Sequence, residues 1–94
     1  MADSSADLYE IEISAQAVRR LRKLKSNSSV LESIRISIRN LRSNPRPHGC
    51  EKLTGIDALR IRDGSYRIVY RVNDESRIVT IDSIGDRKDI YRRR

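Results

Sequence analysis

The sequence predicts an α+β domain with the element order β-α-α-β-β-β, in which a small antiparallel sheet packs against an N-terminal helical hairpin. Three observations predict it: an alternating apolar segment opens the chain, two segments with helical spacing follow, and three alternating segments separated by turn signals fill the C-terminal half. A length of 94 residues allows one compact domain. It excludes a two-domain enzyme that holds a cofactor between its domains.

The first strand is predicted at residues 8–13, where apolar and acidic side chains alternate. Its apolar face consists of Tyr9, Ile11 and Ile13, and its acidic face of Glu10 and Glu12. Residues 1–7 have no periodic pattern and are expected to form a flexible acidic leader. The folded domain is therefore expected to comprise residues 8–94.

The first helix is predicted to begin after Ser14, whose side chain can cap it. Apolar residues recur at helical spacing from Ala17 to Leu24, so one side of this helix should face the sheet. The opposite side should be largely basic and exposed. Its residues are Arg19, Arg20, Arg22, Lys23 and Lys25.

The second helix is predicted to begin at Ser29, which stands three residues before Glu32 as in a capping box. Apolar residues then recur at helical spacing up to Leu41. Ile36 fits this helix least well, because the isoleucines on either side of it also alternate with it as in a strand. The cap and the length of the segment favour the helix.

A loop with two prolines is predicted from Asn44 to about Gly55. Strands are expected at residues 58–62, 66–72 and 77–84. Asp63 and Gly64 form a typical two-residue hairpin turn, and residues 73–76 a looser connection.

This turn predicts a sheet face rich in arginine. If Asp63 and Gly64 are the turn residues, Arg60 lies opposite Arg67. With a four-residue loop at residues 73–76, Asp82 of the next strand also lies opposite Arg67. The face then gathers Arg60, Arg62, Ser65, Arg67 and Arg71, joined by Thr80 and Asp82. Like charges across a strand pair repel, which favours an anion-binding site. The alternative is a solvated face with an ordinary salt bridge to Asp82.

The net charge points to an anionic partner. The chain has 20 basic and 13 acidic residues, a formal charge of +7, and residues 14–94 carry +11 because only 9 of the acidic residues lie there. Sixteen of the basic residues are arginines, whose guanidinium groups pair with phosphate at two points. The partner could be nucleic acid or an acidic protein, and the alternative is a basic domain that is merely soluble.

The chain offers little for metal or redox chemistry. Cys50 is its one cysteine and His48 its one histidine, and their spacing resembles no metal site. We expect no cofactor, an exposed loop histidine and a half-buried thiol. No apolar run is long enough to span a membrane and residues 1–7 do not resemble a secretory signal, so a cytoplasmic protein with no membrane partner is expected.

Three segments carry a family resemblance: Lys52 to Gly55 in the loop, the hairpin from Leu59 to Tyr70, and the tail from Ile84 to Tyr91. In this order, after a basic helical hairpin, they resemble the RelE/ParE superfamily of bacterial and archaeal toxins. Within it, they are most similar to the RelE-like mRNA interferases. The resemblance extends from Tyr9 to Tyr91 and agrees with the predicted fold.

The resemblance implies a toxin of a type II toxin–antitoxin system that cleaves mRNA in the ribosomal A site, without a metal, by attack of a 2′-hydroxyl. It implies catalytic roles for Arg67, Arg87 and Tyr91, with Arg60 and Arg62 where better-known RelE proteins have lysines. RNA or ribosome contacts are expected from the basic side of the first helix, Arg71 and Lys88. The implied partners are mRNA, ribosomal RNA and a cognate acidic antitoxin that joins the toxin in a hetero-oligomer.

Two other functions stay open at this point. ParE-like toxins resemble RelE in fold but act on DNA gyrase, and fold alone does not separate the two. The second open function is a non-catalytic module that binds RNA or an antitoxin. It stays open because arginine does not release a proton near neutral pH, so the site lacks an easy proton carrier. Proton transfer would fall to Tyr91, or to groups of the ribosome or the substrate.

Overall fold

The computed structural model of the chain describes residues 8–86. Two helices and five strands follow one another as β1 (Glu10–Ile13), α1 (Ala15–Lys23), α2 (Ser28–Asn40), β2 (Glu51–Lys52), β3 (Leu59–Asp63), β4 (Tyr66–Asn73) and β5 (Ile78–Asp86), with a short 3₁₀ turn at Leu24–Ser26 between the helices. The α+β class and the predicted order are confirmed. The two-residue strand β2, which falls inside the predicted loop, is additional.

The five strands form one mixed sheet in the order β1-β5-β4-β3-β2. Strands β3, β4 and β5 pair antiparallel, as predicted, and the additional β2 pairs antiparallel with β3. Strand β1, however, runs parallel to β5. A wholly antiparallel sheet was therefore the wrong expectation. The cause is the connection: α1 and α2 separate β1 from the other strands, so no hairpin constrains its direction.

Both helix starts are capped by side chains. The Ser14 hydroxyl accepts a hydrogen bond from the Ala17 amide at 3.1 Å, as predicted. Asn27, not Ser29, caps α2, because its side-chain oxygen accepts from the Val30 amide at 3.4 Å. The capping box was wrong because α2 already begins at Ser28.

The core lies between the helices and one face of the sheet. Its buried residues are Ala17, Leu24, Ile34, Ile38, Leu41, Ile61, Ile68, Tyr70, Val79, Ile81 and Ile84. Ile36 is 44% exposed, in agreement with a helical segment whose other isoleucines face inward. No helix within residues 8–86 is long and apolar enough to cross a bilayer.

The β3–β4 turn consists of Gly64 and Ser65, one residue later than predicted, and Asp63 pairs with Tyr66. Gly64 has φ +61°, which suits the first position of a two-residue hairpin turn. Asp63 stays in the strand because its carboxylate accepts hydrogen bonds from Ser33 and Ser37 of α2, each at 2.9 Å. These bonds tie the hairpin to α2.

Candidate active site

The β3–β4 hairpin brings three arginines together on the sheet face opposite the core. Arg62 lies directly opposite Arg67, and Arg60 lies opposite Val69. The predicted face is confirmed, because shifting the turn by one residue pairs different residues but leaves each on the same side of the sheet. The predicted pairing of Arg60 with Arg67 was wrong. The pair of like charges is Arg62 and Arg67.

Glu51 supplies the counter-charge to this cluster. It lies opposite Arg60 on β2, and its carboxylate hydrogen-bonds the Arg60 guanidinium. Arg62 lies 3.8 Å from the same oxygen. The bond to Arg60, with the positive charges of Arg60, Arg62 and Arg67, holds the pKa of Glu51 below its ordinary value. Glu51 is therefore an anion at neutral pH.

Sequence reasoning missed Glu51 because a two-residue strand has no periodicity to recognise. A local signal was nevertheless present. Glu51 precedes the turn that folds β2 onto β3, and that turn is closed by a 2.9 Å bond from the Leu53 amide to the Ala58 carbonyl. A carboxylate just before such a turn and an arginine just after it come into cross-strand contact.

The guanidinium groups of the cluster are only partly engaged. Arg67 is half-buried, and among residues 8–86 no carboxylate or carbonyl binds its side chain. The Arg60 side chain is 27% exposed, and its Nε is buried with no hydrogen-bond partner in the same part of the chain. Three guanidinium groups thus share one carboxylate. The cluster can still bind an anion.

Arg71 lies on the same sheet face but is already paired. Asp82 binds it at two points, Nε to Oδ2 at 2.8 Å and a terminal nitrogen to Oδ1 at 2.9 Å. The β4–β5 turn lies one residue later than predicted, since Asn73 pairs with Ile78, and a register shift follows between Val69 and Tyr70. Together they bring Gly85, not Asp82, opposite Arg67. The predicted position of Asp82 opposite Arg67 was therefore wrong, although its place on the arginine face was right.

The basic side of α1 is a separate surface. Arg19, Arg22 and Lys23 are exposed on α1, and Lys25 is exposed in the turn that follows it. Arg20 differs from them: it is half-buried and its Nε donates to the Ile84 carbonyl at 3.2 Å. Its position facing the sheet corrects the expectation that it lies on the outer side.

Three predicted site residues, Arg87, Lys88 and Tyr91, lie outside the described residues. The other aromatic predictions are confirmed: Tyr66 and Tyr70 pack on the core side, and the buried Tyr70 hydroxyl donates to the Pro45 carbonyl at 2.7 Å. His48 is exposed and Cys50 half-buried, as expected. In residues 8–86, no group of three or more histidine, cysteine or carboxylate side chains could hold a metal ion.

Known proteins with related sequences and folds are toxins. Residues 11–91 match the family model described as the ParE toxin of the type II toxin–antitoxin system parDE. The mRNA interferase toxin RelE of Escherichia coli K12 is 32% identical to this chain in an alignment of 94 positions, gaps included, that covers 88% of this chain and 90% of that protein.

Two solved structures have the same fold. The intact RelBE toxin–antitoxin complex of E. coli contains a chain with 32% identity and a TM-score of 0.71, covering 83% of this chain and 95% of that one. A chain of the RelBE2 complex of Mycobacterium tuberculosis, at 24% identity, matches with a TM-score of 0.74 over 84% of this chain and 91% of that one.

The family match covers most of the chain, and the E. coli relative is matched over nearly its full length. The chain therefore belongs to the RelE/ParE superfamily of type II toxin–antitoxin toxins.

Proposed function

We propose that this protein is a ribosome-dependent endoribonuclease that cleaves mRNA in the A site and acts in the cytoplasm. The observation that carries the proposal is the position of Arg62 directly opposite Arg67, beside Arg60, with Glu51 as the one carboxylate within residues 8–86 that pairs with this cluster. The name of the E. coli relative, an mRNA interferase, agrees with this chemistry. The match to a ParE family model favours gyrase inhibition as the competing function.

The reaction is an attack by a ribose 2′-hydroxyl on the adjacent phosphate. The phosphorus–oxygen bond to the next ribose breaks, leaving a 2′,3′-cyclic phosphate and a 5′-hydroxyl. The phosphate gains negative charge on the way, and positioned guanidinium groups stabilise that charge. Arg62 and Arg67 are assigned this role because they share one sheet face across adjacent strands. Since they supply the positive charge themselves, the reaction needs no metal.

Arg60 has a different part in this scheme. It is bound to Glu51 in the free protein, and a phosphate that approaches the cluster competes with that carboxylate for the guanidinium. Glu51 thus acts as an internal counter-ion that the substrate displaces. By family resemblance, Arg87 is assigned to stabilise the same transition state. The transfer of protons is assigned to Tyr91, or to groups of the ribosome or the substrate.

The basic side of α1 is assigned to ribosomal RNA. Arg19, Arg22 and Lys23 are exposed there without an ion pair among residues 8–86, as expected for a surface that contacts phosphates. Arg71 is a weaker candidate because Asp82 neutralises it, and Lys88 is retained from the sequence. An acidic antitoxin, bound in a hetero-oligomer, is proposed as the protein partner, by analogy with the RelBE complexes.

The deciding experiment is a translation reaction with the purified protein in which mRNA 5′ ends are mapped, run beside a DNA gyrase supercoiling assay. We expect cuts at codon positions when ribosomes are present, no cuts when they are absent, and unchanged supercoiling. Loss of supercoiling activity without cuts would assign the protein to the ParE-like function instead. If the protein neither cuts mRNA nor inhibits supercoiling, the remaining function is that of a non-catalytic binding module.

A further inference from the structure

A pocket of about 360 Å³ opens beside the arginine cluster, between the C-terminal half of α2, the loop before β2 and strand β3. Arg62 belongs both to this pocket and to the cluster. The other lining residues are Ser37, Asn40, Leu41, Pro47, His48, Gly49 and Ile61. Its volume falls in the range of small-ligand sites in proteins.

The pocket lies where an edge of the sheet is uncovered. Strand β2 pairs with Leu59 and Arg60 only, so no strand within residues 8–86 covers β3 from Ile61 to Asp63. Alternate backbone amides and carbonyls of an uncovered edge point outward and remain free to bind a ligand. This edge therefore adds hydrogen-bonding groups next to the side chain of Arg62.

Two polar side chains line the pocket wall, those of Asn40 and His48. Within the described part of the chain, neither the Asn40 amide nor the His48 imidazole makes a hydrogen bond or an ion pair. Both residues are exposed. An asparagine amide and a neutral imidazole each offer one donor side and one acceptor side. The pocket thus presents unused donors and acceptors beside a small apolar area of Ile61, which is 9% exposed, while Leu41 is fully buried beneath.

The walls are held in place from outside the pocket. On one side, the Ser37 hydroxyl donates to Asp63 at 2.9 Å, which ties α2 to β3. On the other, the Tyr70 hydroxyl holds the Pro45 carbonyl at 2.7 Å, and Arg46 is bound to Asp74 at 3.0 Å. The loop that carries His48 is therefore anchored just before it. A pre-formed pocket loses little free energy in becoming ordered when a ligand binds.

We propose that this pocket binds an unstacked RNA base next to the phosphate that the arginine cluster holds, and thereby sets codon preference. The inference rests on the proposed nuclease function. Arg62 belongs to both the pocket and the cluster, which puts the pocket next to the held phosphate. The exposed His48 ring can stack on a base plane, and the Asn40 side-chain amide can bind the base edge. An asparagine amide matches the donor and acceptor pair on an adenine edge particularly well.

The first test needs no cleavage. His48 is the one histidine of the chain, so its ring protons give an unambiguous NMR signal in the full-length protein. We expect nucleoside 5′-monophosphates to shift these signals, and ribose 5-phosphate to leave them unchanged. Equal shifts with ribose 5-phosphate, or no shift with any nucleotide, would overturn the proposal that the pocket binds a base.

The second test measures specificity in the translation reaction. Asn40→Ala and His48→Ala should each change the relative cleavage of different codons by roughly fivefold or more. Fivefold is about the smallest effect expected when a two-point contact with a base is lost. Glu32→Ala, an exposed position on the same helix outside the pocket, is the control and should leave the codon pattern as it is.

The two proposals fail separately. If the wild-type protein makes no cuts, the nuclease function is wrong, and the NMR titration still decides whether a base binds. If the wild-type protein cuts, while both pocket variants cut the same codons at the same relative rates, the pocket proposal is wrong and the nuclease function stands.

Discussion

Glu51 lies directly opposite Arg60 and forms an ion pair with it, so the free protein carries its own anion inside the arginine cluster. The carboxylate is 49% exposed and a second arginine, Arg62, lies 3.8 Å from it. An approaching phosphate meets a cluster that is partly neutralised and must replace this contact. The free-energy cost of that exchange depends on Glu51, which can be substituted without altering the arginines.

Replacing Glu51 by glutamine should therefore strengthen anion binding. Glutamine keeps the shape of the side chain but lacks the charge that competes with a phosphate for these guanidinium groups, so the affinity should rise by roughly a few fold. The measurement is fluorescence anisotropy with a 2′-O-methyl RNA, which cannot be cleaved. Glu75→Gln, at an exposed position in the β4–β5 turn, removes the same charge away from the cluster and should have less effect. Unchanged binding together with lost cleavage would instead make Glu51 a proton acceptor.

Removing the Arg67 side chain should lower mRNA cleavage by about 10²-fold or more, the usual effect of losing one group that stabilises transition-state charge. Arg87→Ala should act alike. Both variants should relieve growth inhibition and still bind the antitoxin in a pull-down. Arg35→Ala, an exposed arginine of α2, is the matched control. Full toxicity of both the Arg67 and Arg87 variants would contradict the assignment of the active site.

The bonds between Asp63 and α2 should matter for stability. Asp63→Ala removes the acceptor for Ser33 and Ser37, which should lower the free energy of unfolding by about 1–3 kcal/mol. In a domain of this size, thermal unfolding should then occur roughly 4 °C lower or more. Asp57→Ala, an exposed carboxylate in the β2–β3 connection, is the comparison and should change the Tm little. Equal Tm values for the two variants would show that the hydrogen bonds from Ser33 and Ser37 to Asp63 do not stabilise the fold.

Acid should weaken a second polar network, centred on Asp74. Arg46 and the Tyr9 hydroxyl, which donates at 2.6 Å, hold the pKa of Asp74 below its ordinary value. Because the folded pKa is the lower one, this contribution is present above about pH 4 and is lost as the pH falls through the folded value. Unfolding of the wild type and of Asp74→Asn should therefore differ at neutral pH and converge in acid. A difference that does not shrink as the pH is lowered below about 4 would refute it.

Much of the site followed from side-chain alternation. The side of the sheet on which Arg60, Arg62 and Arg67 lie depends only on alternation along each strand, and it was predicted correctly although the turn was placed one residue too early. The identity of cross-strand partners depends on the turn itself. That turn is set by Asp63 bonding to α2, a tertiary contact that no local pattern reveals.

The remaining differences have the same origin. Ser14 was recognised as a cap because its bond to Ala17 is local, whereas the direction of β1 depends on contacts with residues far along the chain. The partner of Asp82 likewise depends on a register shift inside β4–β5 pairing. Contacts between residues close in the sequence could thus be predicted, and strand pairing between distant residues could not.

The parallel pairing of β1 with β5 determines when the protein can finish folding. Glu10 pairs with Ile78, so β1 has no sheet partner until β5, the last of the described strands, has been made. Gly85, which lies opposite Arg67, is also among the last described residues to emerge. A newly made chain thus cannot complete its sheet early in synthesis.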